Sequence, residues 1–269
     1  MSVEIRRYVS VDPEGLEFFS FVNGPFEEIS NAFYSRRGGI SQGQYRSLNL
    51  SESVGDSHEN VAENRLRCFK ACNRSIEGMY DVWQVHGTEI VCAKNPRDLA
   101  DEHKKADGIL SDNPGITLLM RFADCVPIVL YDWGKKVIGI VHAGWQGTVN
   151  NIAGIAVQKM VASYGSKAHE IVAGIGPSIG PDHYQIGPDV YNIARNKFGD
   201  NSGEIFSMQK GSIHFNLWKA NELLLRSSGI KTIIQSELCT GCDTETWYSH
   251  RVENGKTGRF AALIGLKDW

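Results

Sequence analysis

The chain has 269 residues, of which 42% are hydrophobic and 22% charged, values typical of a folded globular protein with ample material for a core. Its formal net charge is -3 without a long run of one sign, so it lacks the basic excess of a general nucleic-acid or membrane-surface binder. The N-terminal stretch lacks the apolar core of a signal peptide, and the apolar runs are too short to span a bilayer. We therefore expect a cytoplasmic protein.

The predicted elements mix strands and helices without strict alternation. In chain order, the patterns predict a strand at 16–22, a glycine-punctuated loop at 35–41, and a helix that starts at an Asp56–Glu59 capping box and runs to about Cys72. They then predict strands at 116–122, 126–131 and 137–141, a helix at 150–164, a strand at 170–175, helices at 188–198 and 216–228, and strands at 231–236 and 259–266. This order favours one α+β domain over residues 1–269, with helices outside mixed sheets, over a Rossmann-type parallel sheet.

Six cysteines are present, and in an intracellular chain of this size they indicate metal binding or catalysis better than a disulfide framework. Cys239 and Cys242 form a CxxC pair, a spacing that can hold zinc or exchange disulfides. Because no second CxxC exists to complete a four-cysteine site, a structural role for this pair is the favoured interpretation.

Three other segments each carry one borderline or soft metal ligand, His86, Cys125 or His142, beside a glycine or proline turn at the end of an apolar strand. Two imidazoles and one thiolate suit a catalytic Zn²⁺, which keeps a fourth position open for water or substrate. The three residues lie far apart in sequence, and a lone histidine near a strand end is more often structural. Spacing alone therefore leaves both interpretations open.

Several short motifs in one order resemble the laccase-domain family, which is also described as multicopper polyphenol oxidase and as purine nucleoside phosphorylase. The central motifs are 83–87 (WQVHG), 105–108 (KADG), 123–128 (ADCVPI) and 142–148 (HAGWQGT). The flanking motifs are 35–41 (SRRGGIS), 46–50 (RSLNL), 54–56 (VGD), 174–180 (GIGPSIG), 248–251 (YSHR) and 257–259 (TGR). The resemblance covers nearly the whole chain and implies mixed sheets packed as a sandwich, similar to the fold of Cys-His deamidases.

The resemblance implies that His86, Cys125 and His142 bind zinc, with copper less favoured, and that all three take part in catalysis. It implies phosphorolysis of adenosine, inosine and guanosine to a base and ribose 1-phosphate, with adenosine deamination and methylthioadenosine cleavage as further activities. The partners would be a purine nucleoside and phosphate, with neither nucleic acid nor membrane, and the oligomeric state stays open.

Motif position also nominates substrate-binding residues. The candidates for phosphate are Arg36, Arg251 and Arg259, since guanidinium forks bind phosphate well. The candidates for stabilising the departing base are His250, Asn49 and Gln84. Each has a plainer alternative as an ion-paired arginine, a turn cap or a surface histidine.

Further residues beside the motifs have two interpretations. Asp124 is favoured as a structural or ligand-orienting acid over a general base. Trp145 and Phe122 would stack on a purine or belong to the core, the commoner place for aromatic residues.

The chain departs from the family pattern beside the site. Phe122 stands where threonine is frequent, Gln146 where arginine follows HAGW, His183 where cysteine is common, and Gln185-Ile186 where Glu-Val follows tyrosine. These changes bear on substrate preference more than on metal binding.

Three other functions compete with the phosphorylase. Copper-dependent phenol oxidation is disfavoured because multicopper sites need many histidines and the chain has eight. A metal-free Cys-His hydrolase or amidase would use Cys125 as nucleophile and His142 or His86 as base. A non-enzymatic binding protein is least favoured, because polar and ionisable residues concentrate in the motif loops.

Overall fold

The computed structural model describes residues 4–9, 15–98 and 100–267. The strands in chain order are β1 (Glu4–Val9), β2 (Glu17–Val22), β3 (Ile29–Tyr34), β4 (Met79–Tyr80), β5 (Ile90–Cys92), β6 (Gly108–Ser111), β7 (Thr117–Phe122), β8 (Val126–Asp132), β9 (Val137–Ala143), β10 (Ile171–Ile175), β11 (Gln185–Ile186), β12 (Phe206–Gln209), β13 (Ser212–Phe215), β14 (Thr232–Gln235) and β15 (Phe260–Leu266). The α-helices are α1 (His58–Ala71), α2 (Trp145–Val149), α3 (Ile152–Tyr164), α4 (Pro188–Phe198), α5 (Ser202–Ile205) and α6 (Leu217–Ser227).

Two mixed sheets form the centre of the molecule. Within the described ranges, the first sheet has six strands in the order β1-β2-β3-β15-β7-β4, and the second has six in the order β14-β10-β8-β9-β6-β5. A third, small sheet has the order β11-β13-β12 and contributes Ile186 and Phe215 to the same hydrophobic cluster as Ile128 of β8. The prediction of an α+β fold with mixed sheets is confirmed.

The two large sheets pack face to face with helices outside them. One core cluster joins Met120 and Ile264 of the first sheet to Val129 and Ile140 of the second. A separate cluster packs α3 and α6 on the outer face of the second sheet, and another packs Phe69 of α1 on the outer face of the first. The predicted sandwich arrangement is therefore present.

The central strands β8 and β9 are buried along their whole length. Alternate side chains contribute to opposite faces, so Ile128 belongs to the helix-facing core and Val129 to the core between the sheets. Burial on both faces explains why these strands appear in the sequence as continuous apolar runs instead of alternating patterns.

The structure corrects two details of the predicted helices. The N-cap of α1 is Ser57, whose hydroxyl accepts a hydrogen bond from the Asn60 amide at 3.1 Å, so the predicted capping box at Asp56 was one residue early. The predicted helix at 150–164 begins at Ile152 behind the N-cap Asn151, and the short helix α2 before it was not predicted.

Also not predicted from the sequence were the short helix α5 and eight strands, β1, β3, β4, β5, β6, β11, β12 and β13. Of these, β3 and β6 are largely buried and pair with β15 and β9. The other predicted strands and helices are present with ends shifted by at most two residues. Among the described residues, no helix combines the length and apolar character needed to cross a membrane.

Candidate metal centre and active site

Strand register brings Cys125 and His142 together at one end of the central strands β8 and β9 of the second sheet. Strands β8 and β9 pair antiparallel, with Val126 opposite Ala143 and Pro127 opposite His142. Cys125 immediately precedes β8, so its side chain lies beside the end of β9. Two residues that are distant in sequence thus become neighbours through a hairpin whose register is fixed by burial on both faces.

A buried carboxylate, Asp107, connects the third ligand to this pair. It immediately precedes β6, whose Gly108 pairs with Val141 of β9, and it is fully buried. One carboxylate oxygen lies 2.8 Å from Nδ1 of His142 and accepts the His86 amide at 3.0 Å.

The second carboxylate oxygen of Asp107 accepts the amides of Val85 at 3.1 Å and Gly87 at 2.6 Å. Asp107 therefore holds the loop that carries His86 and orients the His142 ring. Because an ionised carboxylate only accepts hydrogen bonds, Nδ1 of His142 carries its proton and Nε2 is left free to bind a metal.

Backbone conformation also fixes the site. His86 and Asp124 adopt positive φ angles of 58° and 81°, a region that is uncommon for residues other than glycine. The Asp124 carboxylate accepts the Thr240 hydroxyl at 2.7 Å and the Arg251 amide at 2.6 Å. These bonds fix the residue before Cys125, in agreement with the structural role favoured for Asp124.

The three ligand candidates fit a single metal ion. Their ligand atoms lie within 4.8 Å of one another, and Cys125 Sγ is 3.9 Å from His86 Nε2. A Cβ atom at Gly144 would lie 3.0 Å from Sγ of Cys125 and 3.1 Å from the His86 ring, so glycine keeps the space beside both ligands open. Two imidazoles and one thiolate are the donors of a borderline divalent cation such as zinc.

The site also favours the thiolate form of Cys125. Burial raises the pKa of the Cys125 thiol, but His142 and His86 outweigh it and lower that pKa to about 6. Burial lowers the pKa of His142, whereas Cys125 and Asp107 raise it to about 9. Without a metal the pair is therefore a thiolate beside an imidazolium, and the thiolate is the form that binds metals.

A cavity of about 350 Å³ opens on this group. The predicted residues that line it are His86, Cys125, His142, Gln84, His250 and Arg259. The pKa of His250 is lowered by burial and by the positive charge of Arg259, so this ring is neutral at neutral pH. Gln84 bonds through both ends of its amide to the backbone of Arg121, at 2.7 and 2.9 Å, and so forms part of the cavity wall.

Arg36 does not line this cavity. Its guanidinium pairs with Glu253 at 3.0 Å, donates to the Thr244 carbonyl at 2.7 Å, and lies 4.4 Å from the centre of the Tyr248 ring. These partners occupy the Arg36 guanidinium, the group that the resemblance nominated to bind phosphate.

Asn49 and Arg251 also lie outside the cavity lining. Asn49 is fully buried and donates to the Ser51 carbonyl and to Asp56, both at 2.9 Å. The Arg251 guanidinium donates to the Gln185 carbonyl at 2.5 Å and lies over the Tyr184 ring. These contacts correspond to the plainer, structural alternatives.

Two arginines that the sequence motifs did not single out as ligands line the cavity instead. Arg65 pairs with Glu52 at 3.2 Å, and Arg121 pairs at 2.8 Å with the fully buried Asp81. Asp81 also pairs with Arg97, and His103 contacts it from the cavity wall. Arg121 stands two residues before the ADCVPI segment and Arg65 lies on α1, so only the fold reveals that both line one cavity.

The aromatic residues at the site divide between core and cavity. Phe122 is 1% exposed and packs against His142 and Phe260, and Trp145 packs partly buried against the helix-facing core. Both belong to the core, as the commoner interpretation had it. Trp83 lines the cavity and is 51% exposed, which leaves its ring available to a flat ligand.

Comparison with known proteins agrees with this geometry. A family model described as multi-copper polyphenol oxidoreductase laccase matches residues 30–267. The chain belongs to this family. The laccase-domain resemblance found in the sequence motifs is thereby confirmed, and the metal that such a family suggests has a matching group of ligand candidates here.

Curated relatives of this laccase-domain chain carry a different activity in their names. A purine nucleoside phosphorylase of Deinococcus radiodurans is 35% identical over 91% of this chain and 92% of its own length. Purine nucleoside phosphorylase YlmD of Bacillus subtilis is 32% identical over 90% of each chain.

Solved structures show the same fold. The crystal structure of YlmD from Geobacillus stearothermophilus matches with a TM-score of 0.89 at 30% identity, covering 97% of this chain and 99% of that one. The Bacillus licheniformis protein YfiH matches with a TM-score of 0.87, also at 30% identity, over 96% of this chain and 99% of its own.

Proposed function

We propose that this chain is a zinc-dependent purine nucleoside phosphorylase that acts on adenosine, inosine and guanosine in the cytoplasm. The observation that carries the proposal is that Arg65, Arg121 and Arg259 line the same cavity as the three ligand candidates. A nucleoside phosphorylase must hold a phosphate dianion beside a sugar and a base, and this cavity joins cationic, aromatic and metal-ligating side chains. The names of the relatives support the same activity.

Arg259 is the arginine best placed to bind phosphate. Within the described part of the chain its guanidinium donates to the carbonyls of Thr257 at 3.2 Å and Gly258 at 2.8 Å and forms no ion pair. No described carboxylate therefore lies within ion-pair distance of it, in contrast to Arg65 and Arg121. An arginine fork without a carboxylate partner binds phosphate through charge-assisted, often bidentate hydrogen bonds.

The departing purine needs a surface to lie on and a hydrogen-bond donor for its developing negative charge. Trp83 supplies an exposed ring at the cavity, and tryptophan offers both a large apolar face and a polar edge. A neutral His250 offers a ring N–H to the base without the cost of burying a further charge near Arg259.

A zinc ion held by His86, Cys125 and His142 would supply Lewis-acid chemistry, including the activation of water. The proposal therefore includes adenosine deamination and methylthioadenosine cleavage as side activities in the same cavity.

A Cys-His hydrolase is the second candidate, because the lowered pKa of Cys125 also suits a nucleophile. That enzyme would need no metal, so it would stay active after chelation and would lose activity when an electrophile reacts with Cys125. Multicopper phenol oxidation is less suited, since the one other group of possible ligands among the described residues contains a single histidine.

The deciding experiment incubates the zinc-loaded protein with adenosine, inosine or methylthioadenosine, with and without phosphate, and identifies the products. Phosphate-dependent release of free base and ribose 1-phosphate supports the proposal. Base release that is independent of phosphate, or no release at all, contradicts it, and unchanged activity after chelation favours the hydrolase.

A pair of arginine variants then tests the cavity. Arg259→Gln removes the unpaired fork and should raise the KM for phosphate about tenfold or more, since a hydrogen bond to a charged group is worth about 1.5–3 kcal/mol. Arg36→Gln should lower stability and leave that KM near the wild-type value, because Arg36 is paired with Glu253 and does not line the cavity. The reverse pattern would restore the phosphate role that motif position gave to Arg36.

A further inference from the structure

A second group of possible metal ligands lies outside the cavity, in two loops of the second sheet. Asp182, His183, Cys239 and Cys242 each place one ligand atom within 4.8 Å of all the others. This group, the second cluster, shares no residue with the His86 site and does not line the cavity.

Topology explains how the second cluster assembles. Strands β10 and β14 pair parallel, so the loops that follow them leave the sheet at the same edge. A bridge between Ser178 and Cys239 continues that pairing, with backbone hydrogen bonds from Ser178 to Leu238 and from Thr240 to Ser178. The CxxC pair lacked a second CxxC in the sequence, and the fold completes it with an adjacent Asp-His pair.

The distances within the second cluster match a tetrahedral site. With Zn–S near 2.3 Å and Zn–N or Zn–O near 2.0–2.1 Å, neighbouring ligand atoms of a tetrahedron lie about 3.3–3.8 Å apart. Nδ1 of His183 lies 3.5 Å from Cys242 Sγ and 3.7 Å from Cys239 Sγ. Oδ2 of Asp182 lies 3.3 Å from Cys242 Sγ and 3.1 Å from His183 Nδ1. These four separations lie within about 0.3 Å of the edges expected for a tetrahedral zinc site.

The surrounding backbone supports the same interpretation. The Gly180 amide donates to Cys239 Sγ at 3.1 Å, which is the kind of N–H bond that stabilises a coordinated thiolate. A Cβ at Gly241 would lie 3.0 Å from the His183 ring, and one at Gly180 would lie 2.7 Å from an Asp182 carboxylate oxygen. A side chain at either position would therefore press on a ligand of the second cluster.

We propose that Asp182, His183, Cys239 and Cys242 bind a second, structural Zn²⁺ that clamps the loop after β10 to the loop after β14. Four protein ligands close the coordination sphere, so this ion has no open position for substrate. Two thiolates and an imidazole select a borderline or soft divalent cation over Mg²⁺ or Ca²⁺.

The clamp would act on the first site through Asp124. Thr240, inside the CxxC segment, donates to the Asp124 carboxylate, and Ile179, in the opposite loop, donates to the Asp124 carbonyl at 3.0 Å. Both clamped loops therefore hold the residue that precedes Cys125. Loss of the second ion should loosen this support without removing a ligand from the first site.

Metal stoichiometry of the full-length protein tests the proposal. After saturation with Zn²⁺ and gel filtration, the wild type should retain two equivalents, Cys242→Ser and Cys125→Ser one each, and the double variant none. His169→Ala is the matched control for His183→Ala. His169 is likewise accessible to solvent and lies beside an acidic residue, Glu170, but among the described residues it has no cysteine partner. The control should retain two equivalents and His183→Ala one.

Retention by Cys242→Ser and His183→Ala of as much zinc as the wild type holds would overturn the proposal, whatever the first site binds and whatever the enzyme's activity. Should the variants fail to fold, thiol titration of the wild type decides. Zinc should protect Cys239 and Cys242 from a thiol reagent, as located by mass spectrometry. Continued labelling of both at saturating zinc, or a Cys239–Cys242 disulfide in the zinc-loaded protein, would refute the site.

Discussion

Replacing Asp107 with asparagine tests how the buried carboxylate supports the metal centre. Asp107 accepts four hydrogen bonds, two at each oxygen, from the His142 ring and from the backbone amides of Val85, His86 and Gly87. Asparagine presents an NH₂ group in place of one oxygen, and an NH₂ group accepts no hydrogen bond. In either orientation of the amide, two donors lose their acceptor.

The structure sets the size of the expected effect. Each buried donor left without an acceptor costs about 1–3 kcal/mol, so the free energy of unfolding of the metal-free protein should fall by about 2–6 kcal/mol. Zinc affinity should fall about 10- to 100-fold, because residues that orient a ligating histidine contribute effects of that size. The ring of His142 also loses the carboxylate that holds its proton on Nδ1.

Asp132→Asn is the matched control for Asp107→Asn. Asp132 is also a fully buried aspartate that accepts backbone amides, those of Gly134 at 2.9 Å and Lys135 at 3.0 Å, but it lies at the opposite end of β8. Both amides bond to the same oxygen of Asp132, which asparagine keeps, so this variant should leave zinc affinity unchanged. Affinity is measured by competition with a chromophoric chelator, and stability by urea unfolding of the metal-free protein. Wild-type zinc affinity in Asp107→Asn would refute the reasoning.

Three further predictions concern the same region. In the chelated protein, alkylation of Cys125 should be nearly independent of pH above about 7 and slow about tenfold per unit below about 6, because its pKa is lowered to about 6; a rate that still rises between pH 8 and 9 would contradict the lowered pKa. Gly144→Ala should weaken zinc binding about tenfold while the circular dichroism spectrum stays native, since the new methyl group would press on Cys125 Sγ and the His86 ring; unchanged affinity would show that the space beside the ligands is not needed. Burial opposes ionisation of Asp81, but its hydrogen bond and ion pair with His103 and its pairing with Arg121 hold its pKa well below the usual value. The ionised Asp81 therefore contributes fully to the free energy of unfolding above about pH 4, and this contribution is lost as the pH falls further. Urea unfolding between pH 2.5 and 7 should therefore show a steeper acid loss in the wild type than in Asp81→Asn, and equal slopes would be inconsistent with this assignment.

The local sequence determined the framework and the ligand candidates. Continuous apolar runs predicted β7, β8, β9 and β15 because burial on both faces demands them. Glycine and proline turns beside His86, Cys125 and His142 indicated side chains that project from strand ends into a cleft. Spacing alone left open whether these three residues bind a metal, and the ordered motifs then indicated the laccase-domain family, which implies that they do. The α+β arrangement followed from the mixed order of elements.

Tertiary structure decided which side chains face the cavity. Arg36 and Arg251 matched family motifs, yet neither lines the cavity. The Arg36 guanidinium binds Glu253 and a backbone carbonyl, and the Arg251 guanidinium binds another backbone carbonyl. Arg65 and Arg121 carried no local signal and line the cavity. The direction of a long side chain depends on partners distant in sequence. A motif therefore predicts where the backbone of an arginine lies, but not which group its guanidinium binds.

Contacts between residues distant in sequence also decided how each of the two groups of metal ligands assembles. The CxxC segment was visible in the sequence, but parallel pairing of β10 with β14 was needed to bring Asp182 and His183 to it. Asp107 belonged to a recognised motif, and only the register of β6 against β9 showed that it holds both His86 and His142. The sequence by itself determined which residues are suited to bind a metal, and strand pairing determined which of them meet, because ligand sets assemble from chain segments whose contacts no local pattern encodes.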